Sequence, residues 1–244
     1  MSAGPDTVLI EVVAVSGSAP REPGAAMLVS ASGETGTIGG GALEWLAVAA
    51  AREMLARGEA QREIVQPLGP DIGQCCGGRV TLRLTRGAPA PEPAPRPAAL
   101  IFGAGHVGAA LARALAPLPL SLSVVDERAA RLAPLAGLCR IVETALPEAE
   151  VAAAPAGAAF VILTHDHALD FLIAEAALRR GDAAHVGMIG SATKRAVLAA
   201  RLREAGLSDA GLVCPIGAAG PRDKRPEIIA LAAAAEVSAA LFGR

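Results

Sequence analysis

Cys75 and Cys76 stand side by side in DIGQCCGGRV, residues 71–80, and are half of the four cysteines in the chain. Neighbouring Cα atoms across a trans peptide lie ~3.8 Å apart, whereas a relaxed disulfide wants ~4.4–6.8 Å, so a Cys75–Cys76 bridge is strained. Adjacent side chains on an extended strand point opposite ways, which makes the pair poor ligands for one zinc. Three readings stay open: an exposed thiolate with chemistry of its own, a ligand shared with other parts of the chain, or two inert small residues. The neighbours Gln74, Gly77 and Gly78 favour a functional thiolate, because glycine marks a turn rather than a packed core. Cys139 and Cys214 sit in apolar runs and read as core.

A second constellation is LIFGAGHVGAALARAL, in which Gly103, Gly105 and Gly108 form G-x-G-x-x-G. The motif alone is weak, but here the strand-like AALIF precedes it and a helical pattern follows. The next strand-like run, LSLSVVD, ends in Asp126, 23 residues after Gly103. That is near the ~20 expected of an acid that binds a ribose diol in a dinucleotide site. The glycines permit a tight turn, and the helix start offers free N–H groups and a partial positive charge to a phosphate. Arg128 is placed to meet a 2′-phosphate, so NAD and NADP are not distinguished. His106 lies inside the loop, as an exposed first-turn residue or a ligand contact.

Further candidates follow other strand ends. In LTHDHALD, His165, Asp166, His167 and Asp170 would lie at the carboxyl edge of a parallel sheet, where ligands bind. Asp166 and Asp170 could equally cap or charge the next helix. The H-x-H spacing suits a metal but lacks a third ligand nearby. In MIGSATKR, Ser191 is a candidate N-cap, and Gly187 and Gly190 with Lys194 or Arg195 could cradle a second anion. Earlier, GSAPREPG holds Arg21 between prolines, a rigid mount for a guanidinium that recognises anions, or a plain surface loop. GTIGGGALE sets Gly39, Gly40 and Gly41 against a helix start, another possible anion nest.

The elements that must position these residues fall into two sets. Prolines at 89, 91, 93, 95 and 97 favour extended polyproline geometry and break both helix and central strand. The reading is a domain at 1–84, a linker at 85–97 and a second domain at 98–244. The first mixes strand runs (TVLIEVVAV, AAMLVS, REIVQPL, RVTLRL) with one helix closed by Gly58, an α+β pattern. The second alternates short apolar runs with helical segments at 106–116, 167–180 and 192–205. It reads as α/β, a Rossmann-like doubly wound parallel sheet. A last helix, about 225–242, places Ile228, Leu231, Ala235 and Phe242 at helical spacing as packing residues. A net charge of −2 provides no basic field for nucleic acid. No apolar run approaches the ~20 residues of a membrane span, and the first residues do not read as a secretion signal, so a cytoplasmic protein is expected.

Together the stretches GSAPREPGAAMLV, GTIGGGALEW, GQCCGGRV, LIFGAGHVG, VVDER, LTHDHALD, MIGSATKR and the segment from PIG to PEIIA resemble the XdhC/CoxI family of xanthine dehydrogenase accessory proteins. They span nearly the whole chain in the family's order. The resemblance implies an N-terminal module carrying the cysteines and a C-terminal Rossmann domain. It implies a chaperone that binds molybdenum cofactor, as molybdopterin or its cytosine dinucleotide form. Such a chaperone protects the cofactor while a cysteine desulfurase provides the sulfido ligand, and inserts it into an apo molybdenum hydroxylase of the xanthine dehydrogenase type. A homodimer is expected on the same ground. On this reading Cys75 or Cys76 ligates molybdenum, a thiophilic centre. Gln74, Arg21, Gly39–Gly41, Gly103, Gly105, His106, Gly108, Asp126, His165, Asp166, His167 and Ser191 are the further contacts, with a nucleotide at the glycine loop still open. The chain departs from the family in starting its first strand by about Thr7, where relatives often carry a helical stretch. The main alternative is an NAD(P)-dependent oxidoreductase, which leaves GQCCGG and GTIGGG unexplained. A thiol-based redox or metal sensor leaves the glycine loop unexplained.

Overall fold

The structure is a computed structural model that describes residues 4–73, 77–92 and 95–243. The chain forms two compact units, Met1–Ala94 and Pro95–Arg244.

The first unit is a five-stranded sheet with one helix. Its strands are β1 (Thr7–Ser16), β2 (Ala26–Ser30), β3 (Glu34–Gly36), β4 (Gln61–Pro67) and β5 (Arg79–Arg86), and α1 (Gly41–Arg57) connects β3 to β4. The order is β3-β2-β1-β5-β4, antiparallel throughout. Val8, Ile10 and Val12 alternate along β1 and meet Leu43, Ala47, Ala51 and Met54 of α1 in one core. The periods of two and of about 3.6 residues thus converge on a single apolar layer. Each large side chain buried there contributes ~1.5–3 kcal/mol. Gly58 ends α1 with φ 69°, its N–H reaching the Leu55 and Met54 carbonyls. β5 runs on through Thr85 and Arg86, which pair with Leu9 and Val8, so the ladder outlasts the boundary expected at residue 84.

The second unit is a doubly wound sheet. In chain order it contains β6 (Ala98–Phe102), α2 (His106–Leu115), β7 (Ser121–Asp126), α3 (Ala129–Leu132), β8 (Arg140–Glu143) and α4 (Pro147–Ala153). There follow β9 (Ala159–Ile162), α5 (His167–Arg180), β10 (His185–Met188), α6 (Ala192–Glu204), β11 (Leu212–Val213) and α7 (Pro226–Phe242). The order β11-β10-β9-β6-β7-β8 is parallel at every pairing. β6 is buried along its whole length because both its faces are covered. Ala99 and Ile101 pack with Leu111 and Leu115 of α2 and Val237 of α7. Leu100 and Phe102 pack on the other face with Phe160, Ile173 of α5 and Leu198 of α6. The chain winds one way from β6 to β7 and the other way at β9. The crevice outside the carboxyl ends of β6 and β9 is therefore the topological switch point.

Helix α7 turns a different face inward from the one its spacing suggests. Ala230, Ala233, Ala234 and Val237 are buried, while Leu231 and Phe242 are 62% and 44% exposed and Ala235 is also exposed. Alanines let α7 lie close against α2, so the small residues, not the large ones, form the contact. The short helices α3 and α4, unforeseen in the sequence, have too few turns to display a period.

Candidate functional site

The three loop glycines differ in why they are glycine. Gly103 has φ 109°, and a Cβ there would stand 2.3 Å from the Leu163 carbonyl oxygen. A Cβ on Gly108 would lie 1.9 Å from the Gly103 carbonyl oxygen. Both are demanded by the fold itself. Gly105 has φ −69° and ψ −172°, extended backbone open to any residue, and a Cβ there would meet nothing within 4 Å. Its bare backbone precedes the first turn of α2, where N–H groups point outward without intrahelical partners. Gly105 and the exposed His106 open onto a groove of about 830 Å³ between α2, α3 and the start of α7.

Asp126 is held tightly. Its Oδ1 accepts the Arg128 backbone N–H at 3.0 Å and Arg128 Nε at 2.8 Å; its Oδ2 accepts the Ala104 N–H at 2.7 Å and Arg128 Nη2 at 2.8 Å. Burial pushes this carboxyl up, but the Arg128 guanidinium and the two backbone N–H groups outweigh it and bring its pKa down to about 2. His165 Nε2 lies 3.6 Å from Glu127 Oε1 beside it. The space bounded by Asp126, Thr144 and His165 is only about 20 Å³.

Farther along the same edge, Asp166 caps α5, its carboxylate accepting the Ala168 and Leu169 N–H groups at 2.7 and 3.3 Å. His167 is exposed on the first residue of that helix. Asp170 is fully buried and accepts the Thr164 N–H, the Thr164 hydroxyl and the Lys194 ammonium. Lys194, 9% exposed, also donates to the Ile189 carbonyl. It therefore ties α6 to α5 and does not face outward as an anion-binding cation. Ser191 caps α6 by accepting the Lys194 N–H at 3.2 Å. Cys214 is buried and Cys139 half-buried, and burial pushes both thiols up.

In the first unit, the Gly39–Gly41 turn is filled from within. Glu44 Oε1, one turn into α1, accepts the Ile38, Gly39 and Gly40 N–H groups at 2.9, 3.2 and 2.8 Å, and the Thr37 hydroxyl. Burial raises the Glu44 carboxyl, but these donors outweigh it and lower its pKa. Gly39 lies against Pro20 and Arg21, whose Cβ and Cγ fall 2.8 and 3.4 Å from a Cβ built there. Arg21 itself is exposed. The same Ser16–Arg21 stretch packs on the far end of the cysteine loop: a Cβ on Gly78 would stand 2.1 Å from the Ser18 carbonyl oxygen. Gly73 donates to Pro70 and Gly77 to Leu68, anchoring both flanks of that loop. GSAPREPG thus touches both of the other motif stretches of the first unit. Gln74, Cys75 and Cys76 lie outside the described residues. Among the described residues no cluster of three His, Cys, Asp or Glu could hold a metal, and no helix is long and apolar enough to cross a membrane.

Two family models match the chain: the XdhC Rossmann domain over residues 99–237, and the XdhC and CoxI family over residues 1–66. The chain belongs to the XdhC and CoxI family. The crystal structure of a xanthine dehydrogenase from Bacillus halodurans shares the fold of this XdhC/CoxI chain with a TM-score of 0.80. It is 18% identical, and the alignment covers 98% of this chain and 92% of that one. An imine reductase from Myxococcus stipitatus, solved with NAD+, aligns over 47% of this chain and 39% of its own at 21% identity and a TM-score of 0.37. No curated protein matches.

Two features of this XdhC/CoxI chain go beyond what its sequence motifs announce. Glu44 has a local signal, since an acid in a first helical turn is favourably placed for free N–H groups. The Lys194–Asp170 pair joins residues 24 positions apart, and no local pattern announces it.

Proposed function

We propose that the protein is a molybdenum cofactor chaperone for a hydroxylase of the xanthine dehydrogenase type. It holds the cofactor, protects it during sulfuration by a cysteine desulfurase, and delivers it to the apoenzyme, acting as a homodimer without turnover of its own. Membership of the XdhC and CoxI family supports this reading. The observation that carries it is Gly105, the one loop glycine that neither backbone conformation nor packing requires. A bare backbone at a helix start serves a ligand oxygen that must come close, and the cofactor carries a terminal phosphate. The second chemistry it needs is a soft ligand for molybdenum, which we assign to Cys75 or Cys76. Gly103 and Gly108 shape the loop, and His106 stands beside the phosphate position.

The test is anaerobic binding of released molybdenum cofactor to the wild type, Cys75→Ala and Cys76→Ala, with molybdenum and pterin quantified after gel filtration. The expected result is about one cofactor per wild-type chain and loss of it in one cysteine variant. A wild type that binds no cofactor but keeps NAD(P) would point instead to an oxidoreductase.

A further inference from the structure

We infer that the second unit carries a further anion site, at the amino end of its sheet, where Arg96, Arg140, Ser121 and Ser123 receive a small phosphate monoester. This end of β6 and β7 is the one opposite the glycine loop, and the site stands independently of the function proposed above.

The strand register brings these residues together. Leu100 of β6 pairs with Ser123 of β7, and Ser123 pairs with Arg140 of β8. Paired residues of neighbouring parallel strands share a face, with the strands ~4.8 Å apart. Ser121, two residues before Ser123, lies on that face and pairs with Ala98. Ala98 and Leu100 belong to the core that contains Val151 of α4. Between these strand starts and the end of α4 lies a hollow of about 320 Å³, which Arg96 also lines. Ordinary ligand pockets start near ~300 Å³.

Ser123 is the residue that packing leaves unexplained. It is 7% exposed, and its hydroxyl has no hydrogen-bond partner among the described residues. A buried hydroxyl in that state costs free energy that an alanine would not. The hollow is where it can find a partner. Arg140 Nη1 reaches Glu150 Oε2 at 3.1 Å, which steadies the side chain and leaves Nε and Nη2 for a ligand. Arg96 is exposed and forms no ion pair among the described residues. The carbonyls at the end of α4, which would repel an anion, are already taken. Arg180 Nη1 donates to those of Val151 and Ala152 at 2.6 and 3.1 Å. Two guanidinium forks and two hydroxyls suit three terminal oxygens carrying roughly two negative charges better than a carboxylate with two oxygens and one charge. Ala98, Leu100 and Ala154 offer an apolar floor to the ester's body.

The experiment is isothermal titration calorimetry of the full-length protein with phenyl phosphate, inorganic phosphate and benzoate. Phenyl phosphate is expected to bind with a Kd at or below ~1 mM, and the other two at least ten-fold more weakly. Arg96→Ala and Arg140→Ala should each weaken phenyl phosphate binding at least ten-fold. Ser123→Ala should weaken it several-fold yet melt no lower than the wild type, because the lost hydroxyl has no partner in the fold. Glu150→Gln should tighten it, by removing the carboxylate that competes for Arg140. Absence of saturable phenyl phosphate binding overturns the inference. So does binding that survives both arginine substitutions, which would lie elsewhere on the chain. Benzoate binding as tightly as phenyl phosphate overturns the ligand class.

Discussion

Two glycine-rich turns at helix starts, Gly39–Gly41 and Gly103–Gly108, look alike in sequence and differ in one respect that matters. At the first, Glu44 reaches back and takes three consecutive N–H groups, so the turn is complete without a ligand. At the second, two glycines are fixed by packing and the third faces open space. The difference teaches that a glycine nest is a ligand site only where donors lack a partner within the chain, and because Val125 and Asp126 already take the Gly103 and Ala104 N–H groups, that place in the second loop begins at Gly105. In the first unit, the internal anion braces the turn on which Pro20 and Arg21 rest. The neighbouring Ser16–Ser18 segment then supports Gly78 at the end of the cysteine loop. That turn organises a motif; the other, on the function proposed above, receives a group.

The largest effect expected from breaking this contrast is at Gly108. A Cβ there collides with backbone, and overpacking of this kind costs ~3 kcal/mol. Gly108→Ala should melt well below the wild type in a calorimetric scan. Next is acid. Asp126 has a folded pKa of about 2 against its ordinary 3.8, so its contribution is complete above pH ~4 and disappears as pH falls through the folded value. That is worth ~2 kcal/mol. Stability followed from pH 5 to pH 2 should fall less steeply in Asp126→Asn than in the wild type. A smaller loss, ~1 kcal/mol, is expected for Glu44→Gln, which leaves part of the N–H cluster without a good acceptor. Because the Glu44 pKa is also lowered, that variant should lose part of the wild type's sensitivity below pH ~4.5. In the same variant, thiol-reagent kinetics at Cys75 and Cys76 should change, since the brace behind their loop is weakened. Unchanged kinetics would uncouple the nest from the cysteine motif.

Much of this was legible because it is local. Loop, strand and acid are spaced by the fold's own dimensions, so Gly103 to Asp126 announced the second unit. Asp166 and Ser191 sit at cap positions that short-range chemistry favours. What stayed hidden is decided by distance in space. Asp126 and Arg128 are two residues apart, yet their residue types do not reveal that they saturate each other. Glu44 fills a nest only because the turn after β3 folds over the start of α1. The inward face of α7 is not legible in its spacing because the helix is apolar nearly all round, which leaves little periodic contrast.

The most direct test of the contrast is Gly105→Ala. Its backbone is ordinary and its Cβ points into open space, so stability should change by less than ~0.5 kcal/mol. Retention of released molybdenum cofactor should nevertheless fall at least ten-fold, because the new methyl stands where the phosphate must approach. A variant that melts with the wild type and retains the cofactor equally well would contradict the account, and the loop would then be an inherited turn with no ligand.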